Sequence, residues 1–206
     1  MTTREPTLRP VPVKDLRPTQ MTVGYREVAA KRSEWRARAG AHEGTYLGQH
    51  MIPVLLGPKG KHYVIDHHHL ARTLLDEGLE EIAVDVVEDL SALGKPEFWV
   101  FVDNKGWCHP YDCEGERQPM GDMPRTIGDM KDDPFRSLAG ELRRQGGYAK
   151  DTTPFAEFLW ADYLRRRIAR KQVESAWDKA LAKALVLAKD PGAQHLPGWC
   201  GPSAGE

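Results

Sequence analysis

Asp66, His67, His68 and His69 stand in a row directly after Tyr63, Val64 and Ile65. An imidazole changes charge near neutral pH and can serve as acid or base, so a carboxylate followed by three of them concentrates proton-handling groups. The β-branched and aromatic residues before the run predict a strand, and the run itself predicts the first turn of a helix. Such a junction suits an anion. The first N–H groups of a helix point outward without intrahelical partners, and the helix dipole favours negative charge there. Asp66 is the expected N-cap. His68 and His69 are expected to contact a phosphate or move a proton. A metal centre is the rival reading. Consecutive helical residues point about 100° apart, so three adjacent histidines do not close on one ion, whereas spacings of three or four do. One or two of them with a distant carboxylate stay open, as does a plain cap whose histidines pack or face solvent.

Three further regions carry polar chemistry. Trp107 to Arg117 gathers Cys108, His109, Tyr111, Asp112, Cys113, Glu114 and Glu116. Cys108, His109 and Cys113 match no familiar zinc spacing, so the segment is expected to be a solvated acidic loop or one that faces a substrate. In the helix expected from Phe155, Asp162 and Arg166 sit four apart and can pair, while Glu157 lies on a different stripe. Phe155, Phe158, Leu159 and Trp160 are expected to pack. Finally, Arg165, Arg166, Arg167, Arg170 and Lys171 form a basic run, read either as a solvated helix face or as a nucleic-acid contact. Aromatic residues that would stack on bases are sparse there.

These groups must be positioned by a chain of 206 residues, 40% of them hydrophobic, which is enough for a core and excludes a largely disordered chain. The length suits one domain, or one domain with an added helical piece. No stretch approaches the ~20 apolar residues of a membrane span, and Met1 to Leu16 lacks an apolar signal core. With 29 basic and 30 acidic residues the net charge is −1, which argues against a protein that coats DNA. The balance hides a split: acidic residues gather between Gly106 and Pro134, and basic ones between Leu164 and Lys189. Three cysteines without a CxxC predict no disulfide framework and a reducing cytoplasm.

Hydrophobic spacing predicts a strand over Val11 to Leu16, ended by Arg17 and Pro18, and a helix over Tyr25 to Ala39 stopped by Gly40. Strands follow over Met51 to Leu56 and His62 to Ile65, then a helix from Asp66 closed by Gly78, then a strand over Ile82 to Val87. Phe98 to Val102 reads equally as helix or strand. Gly106 to Pro134 reads as a long loop and Pro134 to Arg144 as a short helix. Phe155 to Lys171 reads as one helix opened by Thr153 and Pro154. Val173, Trp177, Ala180, Leu181 and Ala184 continue the helical spacing until Asp190, Pro191 and Gly192 break it.

Leu16, Arg17, Pro18, Thr19 and Gln20, followed by a helix and then by Tyr63 to His69, resemble the ParB/sulfiredoxin superfamily, with its early "LRPTQ"-like segment and its "DGHHR"-like turn. The chain is more closely similar to the ParB-like nuclease branch. Asp133 to Ala139 and Phe155 to Asp162 extend the likeness over roughly residues 11 to 170. The resemblance implies nucleotide or phosphate binding at the turn, as in a CTP-dependent partition protein, an ATP-using sulfinic-acid reductase and an ADP-dependent serine kinase. It places Asp66, His68 and His69 at the catalytic centre, with His67, Arg72, Arg17 and Gln20 around the phosphate. Asp133, Arg136, Glu157 and Asp162 are implied as supporting residues. Two positions depart from the pattern. His67 stands where glycine is usual, and Leu70 where arginine is usual, which removes a bidentate phosphate donor.

The expected fold is α+β: a small ParB/sulfiredoxin-like mixed sheet with helices, followed by a C-terminal helical extension. Its expected parts are a flexible leader (1–10), an α/β core (11–93), a loop-rich insert (94–150) and the extension (151–206). The expected function is an enzyme acting on a phosphate ester of a small anionic or phosphorylated ligand, with Mg²⁺ and a nucleotide as its cofactors. The alternatives are a metal-dependent nuclease on DNA and a non-catalytic binding or interaction domain.

Overall fold

The computed structural model describes residues 9–39 and 51–202. The leader, apart from its last two residues, and the Gly40 helix stop lie outside the described residues. The chain is an α+β protein with a helical C-terminal part, and it forms two compact units.

The first unit takes in the described residues of Met1–Val23, Val28–Asp112 and Arg117–Lys131. Its strands are β1 (Arg9–Pro12), β2 (Arg17–Pro18), β3 (Thr22–Val23), β4 (Ile52–Gly57), β5 (Lys61–Val64) and β6 (Glu81–Asp89). Five of them form one mixed sheet in the order β1-β6-β4-β5-β2. β4 pairs antiparallel with β5 and parallel with β6, β1 closes one edge antiparallel to β6, and β2 closes the other parallel to β5. The predicted strand over Val11 to Leu16 is therefore corrected. Val13–Asp15 makes a single 3₁₀ turn, and Arg17 and Pro18 start a strand instead of ending one. Proline is tolerated in β1 and β2 because both are edge strands with a side that needs no N–H donor. Gly57 closes β4, and a Cβ there would press to 2.6 Å from the Tyr63 ring.

Helix α1 runs over Tyr25–Ala39, where the hydrophobic spacing places it. Val28 and Trp35 enter the core with Val54, Val64, Leu70, Leu74 and Ile82. Helix α2 (His68–Asp76) buries Leu70, Ala71 and Leu74 and ends before Gly78, whose φ of +78° suits glycine at a helix C-terminus. The ambiguous stretch near Phe98 is helix α3 (Lys95–Asn104). Its Phe98 and Trp99 pack on Tyr63 at ring separations of 4.5 and 5.6 Å in a second apolar cluster. The long loop is partly ordered by 3₁₀ turns at Met120–Asp122 and Ile127–Asp129, and Ile127 and Met130 drop into the first core.

The second unit takes in Gly24–Glu27, Cys113–Glu116 and the described residues of Asp132–Glu206. It holds α4 (Pro134–Arg144), α5 (Ala156–Arg165), α6 (Arg170–Ser175) and α7 (Trp177–Lys189). α4 has the predicted bounds. Asp133 caps it by accepting the Phe135 N–H at 2.9 Å, and Pro134 fills the first position. The single helix predicted over Phe155 to Lys171 is broken. Ile168 turns into the core, and Ala169 takes an extended conformation that restarts the chain as α6. Phe155, at φ 58°, stands at the N-cap in place of Thr153. The core is built from Phe135, Leu138, Leu142, Trp160, Leu164 and the alanine row Ala180, Ala184 and Ala188, and Trp160 stacks on Tyr148.

Candidate functional site

Parallel pairing of β2 with β5, Arg17 opposite Tyr63 and Pro18 opposite Val64, sends both strands toward the same end of the sheet. Thr19 leaves β2 there and donates its hydroxyl to the Val64 carbonyl at 2.8 Å. The Thr19 N–H donates to His68 Nε2 at 3.2 Å, and the His68 ring is also hydrogen-bonded to the Val64 backbone. His68 is 3% exposed. Burial above all, with His69 and His67 adding to it against the opposing Val64 bond, pushes its pKa down to about 3. The ring is a neutral strut between two segments, buried away from the exposed Asp66 and His67. His68 is a positioning residue.

The turn above it differs from expectation in one respect. The N-cap of α2 is His67, not Asp66, and it lies in the left-handed region at φ 64°. Only glycine adopts this conformation without steric cost, so a histidine there is strained. Asp66 accepts the His67 N–H on Oδ1 at 2.6 Å. Asp66 and His67 are exposed, and His69 is 7% exposed beside them. Leu70 is a core residue.

The residues expected around the phosphate are otherwise engaged. Arg72 bonds Asp76 at 2.9 Å and the carbonyls of Gly128 and Met130 at 3.2 and 3.3 Å, so it ties a loop to α2. Gln20 is buried and donates its amide to the Thr22 carbonyl at 2.8 Å. Arg17 is half-buried, and its charge opposes the burial-driven rise of the Tyr63 pKa.

Sequence reasoning missed what His109 does. Its N–H donates to the Thr19 carbonyl at 2.8 Å, its carbonyl accepts the Met21 N–H at 3.4 Å, and it forms a parallel bridge with Gln20. The acidic loop is thus docked on the same Thr19–Met21 segment that His68 supports. Nothing local announces this, because a backbone bridge leaves no residue signature. The His109 ring stacks on Tyr111 at 4.7 Å. Cys108 is buried and bonds Asp103, and burial raises its thiol to about 12, so it is inert. Among the described residues, no group of three His, Cys, Asp or Glu side chains could hold a metal ion.

The supporting residues of the second unit form ion pairs. Asp133, 1% exposed, accepts from Arg165 at 2.6 Å, and Arg165 also lies 3.6 Å from Asp162. Arg136 turns to Glu27 at 3.0 Å, and Glu157 pairs with Arg143. Asp133 and Asp162 therefore share Arg165, while Arg136 serves a different carboxylate. Burial raises the Asp133 pKa and the Arg165 guanidinium opposes the rise. The arginines of the basic run are engaged as well. Arg166 pairs with Asp162, Arg170 with Glu174 and Glu114, and Arg167 lies 3.7 Å over the Tyr163 ring.

The model of a protein family described as "Putative ParB-like nuclease" matches residues 9–166. The chain belongs to this ParB-like family. Among solved structures, the ParB-like chain is similar to protein Atu1540 from Agrobacterium tumefaciens, at 50% identity and a TM-score of 0.89 over 95% of this chain and 99% of that one. No curated protein matches it. The match ends inside the second unit, at Arg166, and so takes in the Asp66 turn, Asp133 and Asp162. No helix among the described residues of this ParB-like protein is long and apolar enough to cross a membrane.

Proposed function

We propose that this ParB-like chain binds a small phosphorylated ligand, such as a nucleotide, at the turn from β5 into α2 and acts on its phosphoester by hydrolysis or phosphoryl transfer. One observation carries this reading: left-handed His67 opens α2 at the end of a strand paired in parallel, with Asp66 and His67 exposed beside the first helical turn. First-turn N–H groups and the helix dipole attract anions, and ligands of open α/β sheets gather beyond the carboxyl ends of the strands. In this reading His67 contacts the phosphate, Asp66 and His69 handle protons, and His68 holds the turn on Thr19. Mg²⁺ usually keeps several waters and takes one or two carboxylates together with ligand phosphates. Asp66 suits that role, and the metal arrives with the ligand.

Isothermal titration of the full chain with ADP, ATP, CTP and inorganic phosphate, each with and without Mg²⁺, tests the proposal. Saturable binding of at least one of them is expected. No heat from any of the four in either condition overturns it.

The family description favours a second reading, a metal-dependent nuclease, which predicts Mg²⁺-dependent nicking of plasmid DNA. The ion pairs of Arg165, Arg166 and Arg170 count against it, since binding DNA draws on cations left for phosphates.

A further inference from the structure

The first unit carries a cleft that the Asp66 turn does not use. It encloses about 420 Å³ between one side of α3, with Lys95, Pro96, Trp99, Val100 and Asp103, and the segment Arg117, Met120 and Gly121. Positions 95, 96, 99, 100 and 103 fall on one helical face. The volume lies within the roughly 300–1,000 Å³ of small-molecule sites. Pro96, Trp99, Val100 and Met120 make the walls apolar, and Val100 is 64% exposed. A Cβ on Gly121 would meet nothing within 4 Å, so the mouth is open on that side.

Trp99 is the cleft's natural reporter, and the rim charges give it its chemistry. Trp99 is 6% exposed, wedged edge-on against Tyr63 and Phe98, and its indole N–H is buried without a hydrogen-bond partner. A buried donor without an acceptor is costly, and native proteins rarely leave one so. The charges at the rim are also uneven. Asp103 pairs with Arg117 at 2.5 Å and accepts from Cys108, while Lys95 makes no ion pair among the described residues. Two cations against one carboxylate leave a net positive rim. We infer that this cleft binds a small apolar anion, a flat or aliphatic body ending in a carboxylate. The body lies on Trp99, Val100 and Met120, and the carboxylate meets Lys95. The flexible thioether of Met120 adapts the wall to the body. This inference stands apart from the phosphoester reading and uses none of its residues.

The test is a titration of the full ¹⁵N-labelled chain with 2-naphthoate and with its neutral counterpart 2-naphthylmethanol, read at the Trp99 indole resonance, which Trp99→Phe identifies. Naphthoate is expected to move that resonance saturably and to bind about three- to fivefold tighter than the alcohol. Lys95→Gln is expected to erase the difference. Val100→Glu, at an exposed position that leaves the fold intact, is expected to abolish both titrations while the rest of the spectrum stays dispersed. An unmoved Trp99 resonance, or a shift that survives Val100→Glu, overturns the site. Equal affinity for acid and alcohol overturns the assignment of an anion.

Discussion

The charged cluster of the second unit and the β5–α2 turn of the first treat their polar residues in opposite ways. In the second unit the carboxylates and guanidinium groups are consumed by one another: Asp133 and Asp162 by Arg165, Glu27 by Arg136, Glu157 by Arg143. At the β5–α2 turn of the first unit, one polar group is buried as a neutral strut and two others are left outside. His68 is bonded to Thr19 and Val64, while Asp66 and His67 remain exposed. A dense set of charges therefore braces a scaffold in one unit, while at the turn of the other two polar side chains are left facing solvent. Removing one partner of a buried ion pair costs far more than the pair itself contributes, so the charged cluster is expected to be stiff and intolerant. The turn is expected to accept change above His68 and resist it at His68.

The largest break expected is in the second unit. Asp133→Ala leaves the Arg165 guanidinium only its longer contact with Asp162 and removes the α4 cap, and should cost about 3–5 kcal/mol in urea denaturation of the full chain. Replacing both partners, Asp133→Leu with Arg165→Leu, should recover much of that loss. If the single change costs less than the double, the contrast between the units fails.

The next effect is at His68. His68→Gln should destabilise by roughly 2 kcal/mol through two disturbed buried hydrogen bonds. It also carries a pH signature. The folded ring takes up its proton only near pH 3, whereas the unfolded ring does so at its ordinary value of 6.5. The unfolded chain then binds more protons between these values. Stability contributed by the neutral ring is complete above about pH 6.5 and falls as pH drops toward 3, by on the order of 4 kcal/mol across the window. The wild-type denaturation midpoint should decline over that range more steeply than that of His68→Gln. Parallel declines would mean that the ring is not held neutral by the fold.

The smallest effect separates shape from chemistry at the turn. His67→Gly relieves a left-handed side chain and should stabilise by about 0.5–1 kcal/mol, after glycine's greater entropy loss on folding is counted. If the imidazole contacts phosphate, the same change weakens phosphate affinity in the titration described above. Higher stability together with weaker binding would identify His67 as a ligand residue whose strain is kept for function. Higher stability with unchanged binding would reduce it to a tolerated substitution.

Much of the fold was legible. α1 and α4 have their predicted bounds; Val28 and Trp35 mark the buried side of one, and a capping Asp133 with Pro134 marks the start of the other. Gly78 marked the end of α2 by its conformational freedom. The break between α5 and α6 was not legible, since no proline or glycine interrupts Arg165 to Arg170; burial of Ile168 turns the chain. At the site, the Asp66–His69 run was visible, but the division of labour within it was not. Four neighbouring polar residues look alike until the fold decides which one points inward. Arg72 looked available for phosphate only because Gly128 and Met130, its acceptors, lie more than fifty residues away.

The sequence by itself determined the family, the strand-to-helix turn with its Asp66–His69 run and most of the helices, because these depend on residue type and on spacings of a few residues. Tertiary structure alone decided that His68 is a neutral strut, that His109 docks on Thr19, and that Arg136 answers Glu27 across 109 positions. Burial and long-range pairing set those outcomes. The cost of burying a charge or an unsatisfied donor is incurred only where distant parts of the chain meet, and no local pattern records where that is.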